Sequence, residues 1–213
     1  LTAPYGDSSH ALLRLAALPI EAVHADLVRG TLPSGAFESG ELVSAFYETQ
    51  FVAGLVDGRN IWRTDLRVAS RVADDLKVAG IDVVIGTSNS LQHVPHDVRD
   101  ETKLDERLKS WLAFADQKVE QVAILSRGLD EGEATIEAEL AETERALADR
   151  AAAPGVRVDA VRIRTEQVSE EDRHRASEED RRDAQLSLGI PQFATTTIGS
   201  FPQTSEIRVA RAA

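Results

Sequence analysis

Ser200 closes a run of β-branched residues, Thr195-Thr196-Thr197-Ile198, that favours an extended strand, and Gly199 before it lets the backbone turn or approach a ligand closely. Pro202 disfavours helix at Phe201, so the strand exit is fixed and a hydroxyl is presented at a strand's C-terminal end. Parallel α/β folds bind their ligands at such ends. The plain alternative is a tight strand-to-helix turn. Three other polar groups have chemical potential. His93-x-x-His96-Asp97 offers two imidazoles and a carboxylate at a spacing that holds zinc if a fourth ligand arrives, although Pro95 constrains the turn between them. His24-Ala25-Asp26 places an imidazole and a carboxylate on one strand face. Asp57, with Arg59, Asn60 and Arg63, sits at the end of another strand. The last two clusters read either as a ligand-binding rim or as an internally paired polar layer; the paired layer is preferred, because a rim buried against a second domain must satisfy its own hydrogen bonds.

The elements that must position these groups alternate between strand and helix. A short strand over Leu1 to Tyr5 is followed by a helix over His10 to Leu18, a strand over Ala22 to Val28 and a helix over Phe37 to Tyr47. Phe51 to Val56 reads as an apolar buried strand, Thr64-Asp65 opens a helix running to about Val78, and Ile81 to Gly86 forms a further strand. Four β/α units in succession predict a parallel sheet, which right-handed crossovers would roll into half of an eight-stranded barrel.

Downstream the pattern turns helical. Leu104, Leu108, Trp111, Leu112, Ala115, Val119 and Val122 predict one amphipathic helix from Leu104 to about Ser126, with Trp111 and Phe114 as core anchors and Lys103, Glu106, Lys109 and Lys118 facing away. A second long helix is expected over Glu131 to Ala152, ended by Pro154-Gly155. Val156 to Leu186 is strongly polar and repeats itself, as Ser169-Glu170-Glu171-Asp172-Arg173 and Ser177-Glu178-Glu179-Asp180-Arg181. Serine followed by acids and then arginine suits helix starts, and the segment reads as a solvated linker in preference to an acidic docking segment.

Composition narrows the classes. Across 213 residues, 42% hydrophobic content is enough for a sizeable core. No apolar run approaches the roughly eighteen residues of a membrane span, and no basic segment precedes an apolar stretch, so neither a membrane nor a secreted setting is expected. The absence of cysteine fits a cytoplasmic protein. Thirty-six acidic against 24 basic residues give a net charge of −12, which argues against nucleic acid as a partner. There is no methionine, not even an initiator, which points to a piece of a longer protein or to modified methionines omitted from the sequence.

Three ordered segments then carry a resemblance. Thr195 to Thr204, TTTIGSFPQT, is similar to the opening of the C-terminal catalytic barrel of the cobalamin-independent methionine synthases. Val56 to Leu66, VDGRNIWRTDL, resembles a stretch of that family's N-terminal barrel, as does Leu91-Gln92-His93-Val94-Pro95 with Glu101 to Leu104 and Ser110 to Ala115. There are departures: Asn89 stands where relatives usually have cysteine, Gln92 replaces a leucine, and Phe193-Ala194 precedes the threonines where a proline is common.

The resemblance implies a fragment of a homocysteine methyltransferase. Residues 1–128 would be the second half of the N-terminal β/α barrel, 129–190 a helical, charged interdomain linker, and 191–213 the start of the catalytic barrel. The fold class is therefore α/β: a partial TIM (β/α)8 barrel of four β/α units, long linker helices and the first strand of a second barrel. The implied reaction moves a methyl group from 5-methyltetrahydropteroyltriglutamate, a folate, to the zinc-bound thiolate of homocysteine, giving methionine. A free thiol has a pKa near about 8.5, and zinc coordination removes its proton. The family's zinc ligands, a histidine, two cysteines and a glutamate, have no counterparts in this chain. Ile198, Gly199 and Ser200 carry over as the segment binding the amino-acid part of homocysteine or methionine. Alone, the fragment is expected to be inactive, and to self-associate or require the missing barrel segments. The competing reading is a noncatalytic binding or scaffold module derived from the same N-terminal half.

Overall fold

The computed structural model describes residues 1–35, 40–196 and 203–212. Four strands, β1 (Thr2–Ala3), β2 (Ala22–Asp26), β3 (Gln50–Val56) and β4 (Val83–Thr87), form one parallel sheet in sequential order. Between them run α1 (Ser9–Ala16), α2 (Glu41–Ala45) and α3 (Leu66–Val78). The alternation expected from sequence is present, with shifted ends; residues 37–39 of the helix expected over Phe37 to Tyr47 lie outside the described residues. Asp65 caps α3 by accepting from Val68 N at 3.1 Å, which explains why that helix starts where its sequence signal places it.

Parallel pairing in register puts Thr2, His24, Val52 and Val84 in one row across the sheet. Their neighbours Val23, Ala25, Phe51, Ala53, Val83 and Ile85 point the other way, into a core completed by Leu12, Leu42, Leu66 and Leu76 from the helices. Each fully buried large side chain there contributes about 2 kcal/mol, which fixes the register because a one-residue slip would turn the whole set outward. The opposite face is open: Val84 is 39% exposed. Among the described residues β1 pairs only with β2 and β4 only with β3, so both sheet edges are free. A four-stranded parallel sheet in sequential order is consistent with part of a β/α barrel.

The helix expected from Leu104 to Ser126 is instead two helices, α4 (Glu106–Trp111) and α5 (Ala115–Glu131). Leu112, Ala113 and Phe114 are all buried, and a continuous helix would have turned one of the three to solvent. The chain extends there and pairs with residues 61–63: Ala113 N donates to Ile61 O at 2.8 Å, Arg63 N to Trp111 O at 3.0 Å, and Trp62 bridges Leu112 antiparallel. The restart shifts the phase of α5. Its buried face is Lys118, Gln121, Leu125 and Leu129; Val119, expected inside, is 56% exposed, and Lys118, expected outside, is completely buried. Phe114 is a core residue of a small satellite cluster with Val98 and Leu112, whereas Trp111 is half-buried and its indole Nε1 donates to Asp149 Oδ2 at 2.9 Å.

The second long helix is likewise interrupted. Gly132, with φ +99°, ends α5, a 3-10 turn covers Glu133–Ile136, and α6 runs over Glu137–Ala152 up to Pro154-Gly155. Arg67 of α3 holds α6 and the turn before it through Glu133, Glu137 and Glu144.

Residues Leu1–Arg157 form one compact unit and Val158–Ala213 another. In the second, α7 (Asp159–Glu166), α8 (Glu170–Arg173), α9 (Glu178–Leu186) and α10 (Ser205–Ala212) are exposed helices. Ser169 accepts from Asp172 N and Ser177 from Asp180 N, both at 3.1 Å, so the repeated Ser-acid motif starts helices as its chemistry predicts. Thr195 and Thr196 are irregular. Ile198, Gly199 and Ser200, and with them most of the strand expected there, lie outside the described residues.

Candidate functional site

Two of the polar groups singled out in residues 1–128, Asp26 and Asp57, stand at the C-terminal ends of β2 and β3. Asp26 ends β2 and is buried; it accepts from Gly6 N at 3.1 Å and from Val28 N and Arg29 N at 2.9 Å. Asp57 follows β3 and accepts from Arg59 N at 2.8 Å and Asn60 Nδ2 at 2.6 Å, with Arg29 Nη2 at 3.7 Å. Both carboxylates therefore stitch the loops of the rim together, which is the internally paired layer preferred from sequence.

His24 does something the sequence did not disclose. From β2 its Nε2 reaches over β3 to the carbonyl of Thr87 on β4, at 2.8 Å. A carbonyl only accepts, so Nε2 carries the proton, and Nδ1 is buried without a hydrogen-bond partner among the described residues. Passage over β3 is possible because Gly54 lies beneath the ring: a Cβ there would stand 2.9 Å from His24 Nε2.

His93 and His96 do not converge. Tyr5 Oη and His93 Nε2 share a hydrogen bond of 2.8 Å, while His96 faces Asp100 and Asp116 at 3.7 and 3.5 Å. Asp97 turns to Arg99 and to Gln117 Nε2; the Arg99 hydrogen bonds hold its carboxyl down at about 2. No cluster of three or more His, Cys, Asp or Glu side chains that could hold a metal occurs among the described residues.

Lys118 is the rim residue that sequence reasoning assigned to solvent. Its Nζ donates to the carbonyl of Trp62 at 3.1 Å, and burial pushes its pKa down to about 8 against the opposing pull of Asp57. The same loop is held from α6, where the Arg150 guanidinium lies 3.6 Å from the Trp62 ring centroid and Glu142 pairs with Arg63 at 2.8 Å. The available signal was phase: counted from Phe114, Lys118 falls at i+4 and Leu125 at i+11, on one helical face.

Inside the rim, on the open face of the sheet, lies a cavity of about 420 Å³ lined by Thr2, Tyr5, His24, Val52, Thr87 and Asn89, among others. Tyr5 forms its lip with φ at +70°, in the left-handed region, and Arg59 stands 5.5 Å from the Tyr5 ring centroid.

Sequential parallel strands with helices on one face and a polar rim at the strands' C-terminal ends make this an α/β protein, consistent with part of a β/α barrel. Residues 1–80 match the family described as cobalamin-independent synthase, N-terminal domain. Over 210 residues, 98% of its length, the chain is 42% identical to the 5-methyltetrahydropteroyltriglutamate-homocysteine methyltransferase of Mycobacterium tuberculosis strain H37Rv. It is 41% identical to the protein of that name from Mycobacterium leprae, again over 98% of the chain, and 42% identical to that of Parvibaculum lavamentivorans over 92%. The chain is thus similar through nearly its whole length to these methyltransferases, and it spans 26 to 27% of their length.

Proposed function

We propose that the chain is the part of a cytoplasmic homocysteine methyltransferase that joins the second half of the N-terminal barrel to the start of the catalytic barrel. The reaction is methyl transfer from 5-methyltetrahydropteroyltriglutamate to homocysteine, giving methionine. The observation carrying this reading is the 42% identity that runs through 98% of the chain to proteins bearing that activity in their names. The homocysteine segment is Ile198-Gly199-Ser200, where Ser200 and adjacent amides would take the amino acid's carboxylate through charge-assisted hydrogen bonds.

Zinc does not fit the residues present. The chain has no cysteine, and no group of three or more His, Cys, Asp or Glu side chains that could hold a metal occurs among its described residues. The groups that activate the thiol are therefore placed outside this chain, which by itself does not turn over substrate. Its role is architectural: the rim held by Asp26, Asp57, His24 and Lys118 fixes a half barrel whose open face needs a complement. With Val84 exposed and both edges free, the isolated chain is expected to self-associate.

Methionine formation tests the assignment. The isolated chain is expected to give none, and the complete polypeptide to give activity whose KM for homocysteine rises about tenfold or more in Ser200→Ala. Turnover by the 213 residues alone, or a complete polypeptide indifferent to homocysteine, would refute it.

A further inference from the structure

Away from the sheet, a cavity of about 150 Å³ is walled by Arg63, by Glu120, Gln121 and Ile124 of α5, and by Glu142 and Thr143 of α6. It adjoins a larger cavity of about 470 Å³, with which it shares Arg63, Gln117 and Glu120, and whose walls include the buried Val98 and Leu112. None of these residues has been given a role in methyl transfer. Gln121 is only 6% exposed, and its Oε1 is buried without a hydrogen-bond partner among the described residues. A buried carbonyl oxygen in that state calls for a donor.

The charges around it are unevenly committed. Glu139 pairs with Arg127, and Glu142 accepts from Arg63 Nη1 at 2.8 Å. Glu120 meets only Arg99 Nη2 among the described residues, at 3.5 Å, the limit of a hydrogen bond. Arg63 Nε and Nη2 donate to no described residue, so one edge of that guanidinium is open. No group of three or more His, Cys, Asp or Glu side chains suited to a metal occurs among the described residues. An orphaned acceptor, a loosely held carboxylate and an open guanidinium edge instead match a zwitterion. Its ammonium would donate to Gln121 Oε1 and Glu120, and its carboxylate would accept from the Arg63 edge.

We propose that this pair of cavities binds a free α-amino acid with an apolar side chain. The head group is held in the smaller cavity by Arg63, Glu120 and Gln121, and the side chain passes Gln117 to lie against Val98 and Leu112 in the larger. Both charges are needed: a lone amine leaves the Arg63 edge empty, and a lone carboxylate leaves Gln121 Oε1 without its donor.

The test is a heteronuclear NMR titration of the intact chain with leucine, and in parallel with isocaproate, which lacks the amine, and isoamylamine, which lacks the carboxylate. Saturable shifts are expected with leucine at the amides of Arg63, Leu112 and Gln121. Isocaproate and isoamylamine should each bind at least about tenfold more weakly, the scale of one charge-assisted contact. Gln121→Met, close to glutamine in volume, should weaken leucine about tenfold and narrow its advantage over isocaproate. Glu120→Gln, at a side chain 58% exposed and so tolerant of change, should weaken leucine in the same sense. Isocaproate or isoamylamine binding as tightly as leucine, Glu120→Gln and Gln121→Met both leaving the leucine affinity unchanged, or no saturable shift at millimolar leucine would each overturn the proposal.

Discussion

His24 on β2 and Thr87 on β4 are joined by a 2.8 Å hydrogen bond that crosses above β3, and Gly54 is the residue that leaves room for it. The bond ties β2 to β4 across β3, and the close approach depends on the missing side chain at Gly54.

Gly54→Ala tests that dependence. The added methyl would lie 2.7 Å from Ala25 O, 2.9 Å from His24 Nε2 and 2.9 Å from Ser88 Cα, two of them backbone atoms that cannot swing aside. We expect a loss of about 2 to 3 kcal/mol in urea unfolding, the range for overpacking a rigid site. An unchanged midpoint would mean that the strands separate there without cost.

Lys118 gives a pH signature. Its pKa is about 8 in the folded protein against 10.5 in an unfolded chain, so between those values the unfolded state holds a proton that the folded state has released. Stability from this group must rise with pH through that window and be flat below it. Unfolding of the parent chain, compared with Lys118→Met at pH 7.5 and pH 10, should show the parent gaining about 2 kcal/mol relative to the variant at the higher pH. A gain of equal size in both proteins would show that Lys118 is not responsible.

Arg67 is the anchor of α6, and hydrogen exchange reads its effect locally. Arg67→Met should speed exchange of the amides in Glu137–Ala152 while leaving β3 protected. The Arg67 hydrogen bond holds the Glu137 carboxyl below its usual range, so this stabilisation is present at neutral pH and is lost as pH falls through the lowered value. Exchange in α6 that is insensitive to both the substitution and acid would assign its anchoring to Leu140 and Ile136 packing instead.

The open face predicts association. Sedimentation of the isolated chain should show species larger than 23.2 kDa, and Val84→Glu, at a half-open position on that face, should shift them toward the monomer. A monomer at all concentrations would show that the face tolerates water.

The parts of this fold that were legible are those governed by local chemistry. Phe51 to Val56 is apolar enough to be a buried strand wherever it occurs, Asp65 caps α3 through its own backbone neighbourhood, and Ser169 and Ser177 do the same for α8 and α9. The break between α4 and α5 was not legible, because Leu112 and Ala113 leave the helix to pair with residues 61–63, some fifty positions away. That pairing also concealed Lys118, whose burial depends on the phase set by the restart at Ala115. At the rim, the pairing of Asp26 and Asp57 followed from the general need of buried carboxylates for partners, whereas the reach of His24 over Gly54 required knowing which strands neighbour each other. The Ile198-Gly199-Ser200 assignment rests on residue pattern alone.

The measurement bearing most directly on the methyltransferase assignment is the nucleotide sequence of the encoding gene past the codon for Ala213. The account predicts an open reading frame continuing into a histidine, two cysteines and a glutamate suited to zinc. A stop codon at that point, with an intact mass matching the 213 residues, would contradict it and leave a noncatalytic binding or scaffold module.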